Sequence, residues 1–213
     1  TGQFTPKEAK LLVQRLNSGA LPVPVSLISQ QSVGPSLGEK FLAKGVMAGI
    51  YGMILVSLFL ILWYRLPGLV AVLALGLYTI IILALFKLIP VTLTAAGIAG
   101  FILSVGMAVD ANILIFERMK EELKKGKNLQ SAISEGFSRA WLSIRDSNIS
   151  SLITAGILFW MGTSMIKGFA LTLGVGILIS MFSAITVSRT LLLAIGLKGE
   201  SKISKFLFGS GIR

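Results

Sequence analysis

Cysteine and histidine are both absent from the chain. Without cysteine there is no disulfide framework, no thiol nucleophile and no thiolate metal site. Without histidine there are no imidazole ligands and no imidazole general base, which also removes a serine–histidine hydrolase. Acid is scarce: 9 Asp and Glu stand against 20 Lys and Arg, and only 14% of residues are charged. A soluble protein devotes about 25% of its residues to charge, so too little is present here to clothe a water-facing surface. What fills the chain instead is apolar, 54% of residues with a mean hydropathy of +0.85. That balance belongs to helical membrane proteins.

The net charge of +11 does not require nucleic acid as a partner, because most of the excess falls between apolar runs, where positive charge sets topology. Five runs read as membrane spans, at about 44–64, 67–87, 91–116, 147–166 and 168–196. Each is near or above the ~20 residues that cross a bilayer core. Arg65-Leu66-Pro67-Gly68 separates the first two. Arg65, the cluster from Arg118 to Arg145, and Lys198, Lys202, Lys205 and Arg213 all fall on one side if the spans alternate. The opposite connections carry only Lys87 and Lys167. The asymmetry predicts a multi-pass membrane protein with residues 1–43 outside and the long connection and the tail 198–213 inside.

Residues 1–43 are the only soluble-looking stretch. Thr5-Pro6-Lys7-Glu8 is a capping box that starts a helix with Ala9, Leu12, Val13 and Leu16 on one face. Residues 22–33 read as extended, with Val23, Val25 and Leu27 alternating. The predicted class is an all-α polytopic membrane protein, preceded by a small α+β piece of an extracytoplasmic domain. A second capping box, Ser36-Leu37-Gly38-Glu39, opens the first membrane helix. The long connection is amphipathic over about 128–144: Leu129, Ala132, Ile133, Gly136, Phe137, Ala140, Trp141 and Ile144 recur at helical spacing. A helix of that pattern lies along the inner surface or against the bundle.

Asp110 is the one acidic residue inside the predicted spans. A carboxylate at such depth costs about 3 kcal/mol on insertion scales, and residues that costly mark ion or proton pathways. The bland alternative is a protonated Asp bonding helix to helix. Gly97, Gly100, Ser104, Ala108 and Ala111 form a stripe of small residues on the same helix, which lets a neighbour approach closely. Asp110 lies on another face, near Leu103, Gly106, Ile113 and Glu117; Gly106, one turn above, leaves room beside the carboxyl. Asn112 reads as an interhelical hydrogen-bonding group. Glu117-Arg118 and Glu121-Glu122 read as a solvated face, although Glu117 lies two turns below Asp110 and suits a relay toward the cytoplasm. Asn148 and Thr154 belong to a hydroxyl- and amide-rich opening of the fourth span, which either lines a hydrated path or joins helices.

Enzyme chemistry finds no foothold. An intramembrane aspartyl protease needs two carboxylates in one site, and no glycine-rich phosphate loop with a lysine occurs. No cofactor or metal is expected.

Gly106-Met107-Ala108-Val109-Asp110-Ala111-Asn112-Ile113-Leu114-Ile115-Phe116-Glu117-Arg118 resembles the signature of the SecD type of the SecD/SecF protein-export membrane family, in the RND superfamily. Gly19-Ala20-Leu21-Pro22, Val33-Gly34-Pro35-Ser36-Leu37-Gly38 and Ile166-Lys167-Gly168-Phe169-Ala170 resemble it in the same order. The resemblance implies a non-enzymatic, proton-coupled translocase subunit that works with SecF and the SecYEG translocon on a translocating preprotein. It implies a six-helix membrane half, of which this chain holds five, with the first helix and most of an external domain upstream. Asp110 would be the proton-coupling residue, supported by Gly106, Asn112, Glu117, Asn148 and Thr154. Membrane lipids are the other expected partners, and nucleic acid is not one. The alternatives are an RND-type exporter of lipids or small molecules, and a scaffold in which Asp110 only packs.

Overall fold

Thr5 and Glu8 fix the start of the first helix by bonding each other. The Thr5 backbone N–H and hydroxyl both donate to Glu8 Oε2, at 2.9 and 2.7 Å. Helix α1 then runs Pro6–Asn17, with Leu12, Val13 and Leu16 exposed. The structure, a computed structural model, describes residues 5–17, 35–89, 91, 93–196 and 208. The extended segment expected at 22–33 and the tail expected at 198–213, apart from Phe208, lie outside them. The chain divides into two units, Thr1–Gly38 and Glu39–Arg213.

Helix α2 spans Pro35–Leu88 but leaves helical geometry at Arg65, where φ is 52° and ψ is −114°. Pro67 is the cause: it has no N–H to bond back into the turn, and its ring crowds the carbonyl four residues earlier. Gly68 is required beside it, since a Cβ there would collide with the Leu60 carbonyl. The break expected at Arg65-Leu66-Pro67-Gly68 is therefore present, and it divides α2 into two arms. Thr79 on the second arm reaches Met53 Sδ on the first at 4.0 Å. The helical run begins at Pro35, upstream of the first span at 44.

Helix α3 spans Ala95–Lys124, capped by Thr94, whose hydroxyl accepts the Gly97 N–H at 3.1 Å. A short turn follows in which Gly126 takes a φ of 83°, a conformation that glycine adopts without cost. Asn128 caps helix α4, Leu129–Met161, by accepting the Ser131 N–H at 2.8 Å.

Helix α4 corrects one expectation. The amphipathic stretch 128–144 and the fourth span 147–166 are one unbroken helix. Nothing between Ile144 and Asn148 is glycine or proline, and polar residues such as Arg145, Asp146 and Ser147 stay helical at small cost. The helix stops at Met161, short of 166, where Gly162 donates back to the Leu158 carbonyl at 2.9 Å. Its first half buries Ala132, Ile133, Gly136, Phe137, Ala140 and Ile144, so the amphipathic face packs on the bundle. At Gly136 a Cβ would stand 2.8 Å from both Met119 N and Met119 Cα, a measure of how closely α3 and α4 meet.

Helix α5, Ser164–Phe182, continues through a π-helical segment, Ser183–Ser188, into helix α6, Arg189–Gly196. Among the described residues three stretches are long and apolar enough to cross a membrane: Leu42–Leu88, which contains the bend, Ala95–Lys124, and Ser164–Ile195. The polar opening of the fourth span keeps the second half of α4 below their apolarity. Among the described residues every regular element is helical, and the protein is an all-α multi-pass membrane protein. Its core is aromatic and aliphatic: Tyr78, Phe116, Leu60, Ile82, Met119, Ile133, Ile177 and Leu192 are wholly buried.

Candidate functional site

The small-residue stripe of α3 is its buried face. Gly97, Gly100, Ser104, Ala108 and Ala111 are all buried. Thr172 on α5 donates its hydroxyl to the Gly97 carbonyl at 2.9 Å. A Cβ on Gly100 would lie 2.5 Å from Thr172 Oγ1 and 2.6 Å from the Phe169 carbonyl oxygen. One on Gly176 would strike the Ser104 side chain. Ser104 also meets the Tyr78 hydroxyl of α2 at 2.7 Å. Backbone approach of this kind is what small residues permit where water supplies no hydrophobic drive between helices.

Asn112 behaves as the sequence suggested. Its Nδ2 donates to the Ala108 carbonyl at 2.9 Å, and its Oδ1 accepts the Ser188 hydroxyl at 2.6 Å. It thereby ties α3 to the end of the π-helical segment.

Asp110 faces the other way. It is exposed, on a face shared with exposed Leu103 and Gly106 and half-buried Ile113 and Glu117. Among the described residues no hydrogen bond or ion pair reaches its carboxylate. Nothing stands within 4 Å of a Cβ built on Gly106, so the space expected beside the carboxyl is there. Gly106 and Val109 also border an apolar cleft of about 440 Å³ between α3 and the two arms of α2. Gly45, Gly49 and Gly52 of the first arm also line this cleft, and of the three only Gly45 has a neighbour, Ile98, within reach of a Cβ.

The remaining predicted residues are not gathered around Asp110. Glu117 accepts the Tyr64 hydroxyl at 2.8 Å and pairs with Lys120 at 2.9 Å. Lys120 also sits 5.6 Å from the Tyr64 ring centroid. Asn148 is buried on α4, and exposed Thr154 turns its hydroxyl back to the Ser150 carbonyl at 3.1 Å. Among the described residues no cluster of acidic side chains suits a metal ion.

Glu122 is the residue that sequence reasoning misplaced. It was grouped with a solvated face, yet it is 1% exposed. Lys125 and Lys127 reach its carboxylate at 2.6 Å and Arg139 of α4 at 2.5 Å, while Lys127 also pairs with Glu135. The signal was available: Glu122 continues the buried series Ile115 and Met119 at helical spacing. The bonds to Glu122 and then to Glu135 hold the Lys127 ammonium above its ordinary value of 10.5. A cation raised in this way stabilises the turn fully below that value, and the contribution is lost only as pH climbs beyond it. Glu122→Gln should loosen this turn and leave the apolar core intact. Trypsin should then cut at Lys125 or Lys127 roughly fivefold faster than in the parent; equal cutting rates would show that the network does not hold the turn.

Comparison with known proteins agrees with this architecture. Residues 15–198 match the family described as protein export membrane protein SecD/SecF, C-terminal. The protein translocase subunit SecD of Dehalococcoides mccartyi is 56% identical over 205 residues, which cover 93% of this chain and 46% of that protein. That of Thermobaculum terrenum is 57% identical over 192 residues, covering 88% and 37%. The chain thus spans less than half the length of these relatives. The crystal structure of SecDF from Thermus thermophilus, described as a translocon-associated membrane protein, superposes with a TM-score of 0.80 at 39% identity, covering 94% of this chain and 28% of that one. The signature around Asp110, the bent α2 and the α3–α5 crossing all fall inside these matched regions, and the chain belongs to the SecD/SecF protein-export membrane family, as a SecD-type portion of its C-terminal membrane region.

Proposed function

We propose that this chain is the membrane portion of a SecD subunit that uses the proton motive force to drive late-stage preprotein translocation across the cytoplasmic membrane. SecF and the SecYEG translocon are its partners in this reading. The observation that carries it is Asp110: an ionisable group in an apolar span, on a helix face that the described residues leave exposed, with Gly106 open beside it. A carboxylate so placed takes its partners from another bundle, and SecF is the natural source. Gain and loss of a proton there changes the charge on one side of α3, while its other side is locked to α5 through Gly100, Thr172 and Gly176.

In the same reading residues 1–43 are the end of an extracytoplasmic base domain, 44–197 the bundle, and 198–213 a cytoplasmic tail. Asn112 holds α3 to the π-helical segment. Glu117, with Tyr64 and Lys120, forms the polar exit toward the cytoplasm. Asn148 and Thr154 support the helices around it.

The full-length protein reconstituted with its translocon in vesicles tests the proposal. Collapsing the proton gradient while ATP is kept constant should remove the part of preprotein translocation that depends on this subunit. A sodium gradient imposed at zero proton gradient should not restore it. Translocation indifferent to the proton gradient would overturn proton coupling.

A further inference from the structure

Directly after the π-helical segment, Arg189 opens onto a cavity of about 420 Å³ between α3, the first half of α4 and that segment. The polar groups of its wall are Ser134, Ser138, Trp141 and Arg189, with Ile115 and Ile185 among the apolar ones. Ser134, Ser138 and Trp141 follow one another at i, i+4 and i+7, so they share one face of α4. Among the described residues none of these four side chains has a hydrogen bond or ion pair. The nearby carboxylates are engaged elsewhere: Glu135 with Lys127, and Asp146 with Arg145.

The set is rich in donors. A guanidinium and an indole donate without accepting, and two hydroxyls can donate as well. A wall of this kind, carrying one unopposed positive charge, calls for an anion with several oxygens. Arginine matches the fork of phosphate oxygens in particular. The location narrows the source. Arg189 is near the end of the apolar stretch Ser164–Ile195, and indole and arginine side chains settle where hydrocarbon gives way to head groups. π-Helical turns, moreover, occur often at functional sites.

We propose that this cavity binds the phosphodiester of an anionic membrane phospholipid, with Arg189 as its charge partner, Ser134, Ser138 and Trp141 as donors, and the isoleucines against its glycerol end. Native mass spectrometry of the full-length protein in detergent, titrated with phosphatidylglycerol, tests it. One phosphatidylglycerol should be retained at a site that 10-fold Arg189→Gln weakening identifies, an effect on the order of one charge-assisted contact. Arg189→Lys should weaken it less. Ser134→Asp, at an exposed helical position that tolerates the change, should abolish retention by placing a carboxylate beside Arg189. Millimolar inorganic phosphate should fail to displace the lipid.

Retention unchanged in both Arg189→Gln and Ser134→Asp would overturn the proposal. Displacement by inorganic phosphate would overturn the lipid as the source of the anion. Loss of the lipid on assembly with the translocon would do the same, by assigning the cavity to a protein carboxylate.

Discussion

Full-length protein carrying Asp110→Asn should fold, insert and assemble like the parent, and should lose proton-dependent export by about tenfold or more. The substitution keeps size and shape and removes only the ionisable proton. Folding is expected to be unaffected because Asp110 makes no hydrogen bond or ion pair among the described residues and is on an exposed face. The loss of export is expected because no other acidic side chain stands in the apolar part of α3. The measurement is preprotein protected from protease in membrane vesicles, with and without a proton gradient, beside a pull-down of the partner subunit. Asn112→Ala gives the contrast. It breaks the bond to Ser188 and so should lower stability, whereas Asp110→Asn should not. Full export by Asp110→Asn would leave Asp110 as a packing residue only.

The largest stability losses should come from the α3–α5 crossing. Gly100→Val and Gly176→Val each drive a branched side chain into atoms that cannot withdraw: the Phe169 carbonyl for the first, Ser104 on the facing helix for the second. Overpacking of this kind costs about 1–3 kcal/mol per site, and here it also strains the Thr172–Gly97 bond. Thermal unfolding in detergent should show both variants melting earlier, with poor recovery of folded protein. Gly106→Ala, on the same helix but with nothing within 4 Å of its new methyl, should melt like the parent. If all three variants behave alike, the stripe is not the packing seam.

Much of this was legible along the chain. The proline-bearing break at Arg65–Gly68 announces itself by residue type, because proline acts through its own ring and missing N–H. The capping signals at Thr5 and Glu8 are equally local. The seam of Gly97, Gly100 and Ser104 follows from periodicity and size. Asp110 stood out because any carboxylate among so many apolar residues must be accounted for. Its separation from that seam follows from helical spacing alone.

Other features depend on what lies across from a residue. In sequence the amphipathic stretch 128–144 and the fourth span 147–166 read as separate segments. The helix runs through, since polarity by itself does not end a helix without glycine or proline. Glu122 looked like one charge in a charged run, and burial became visible only when α4 brought Arg139 against it. Gly49 and Gly52 have no neighbour in reach and border a cleft, which residue type alone does not reveal. Sequence by itself determined the helical character of the chain, the cap at Thr5, the bend at Pro67 and the identity of the costly carboxylate, all set by short-range sterics and hydropathy. Tertiary structure alone decided which glycines touch, which acid is buried and that Asp110 is left uncovered, because those depend on partners far away in the chain.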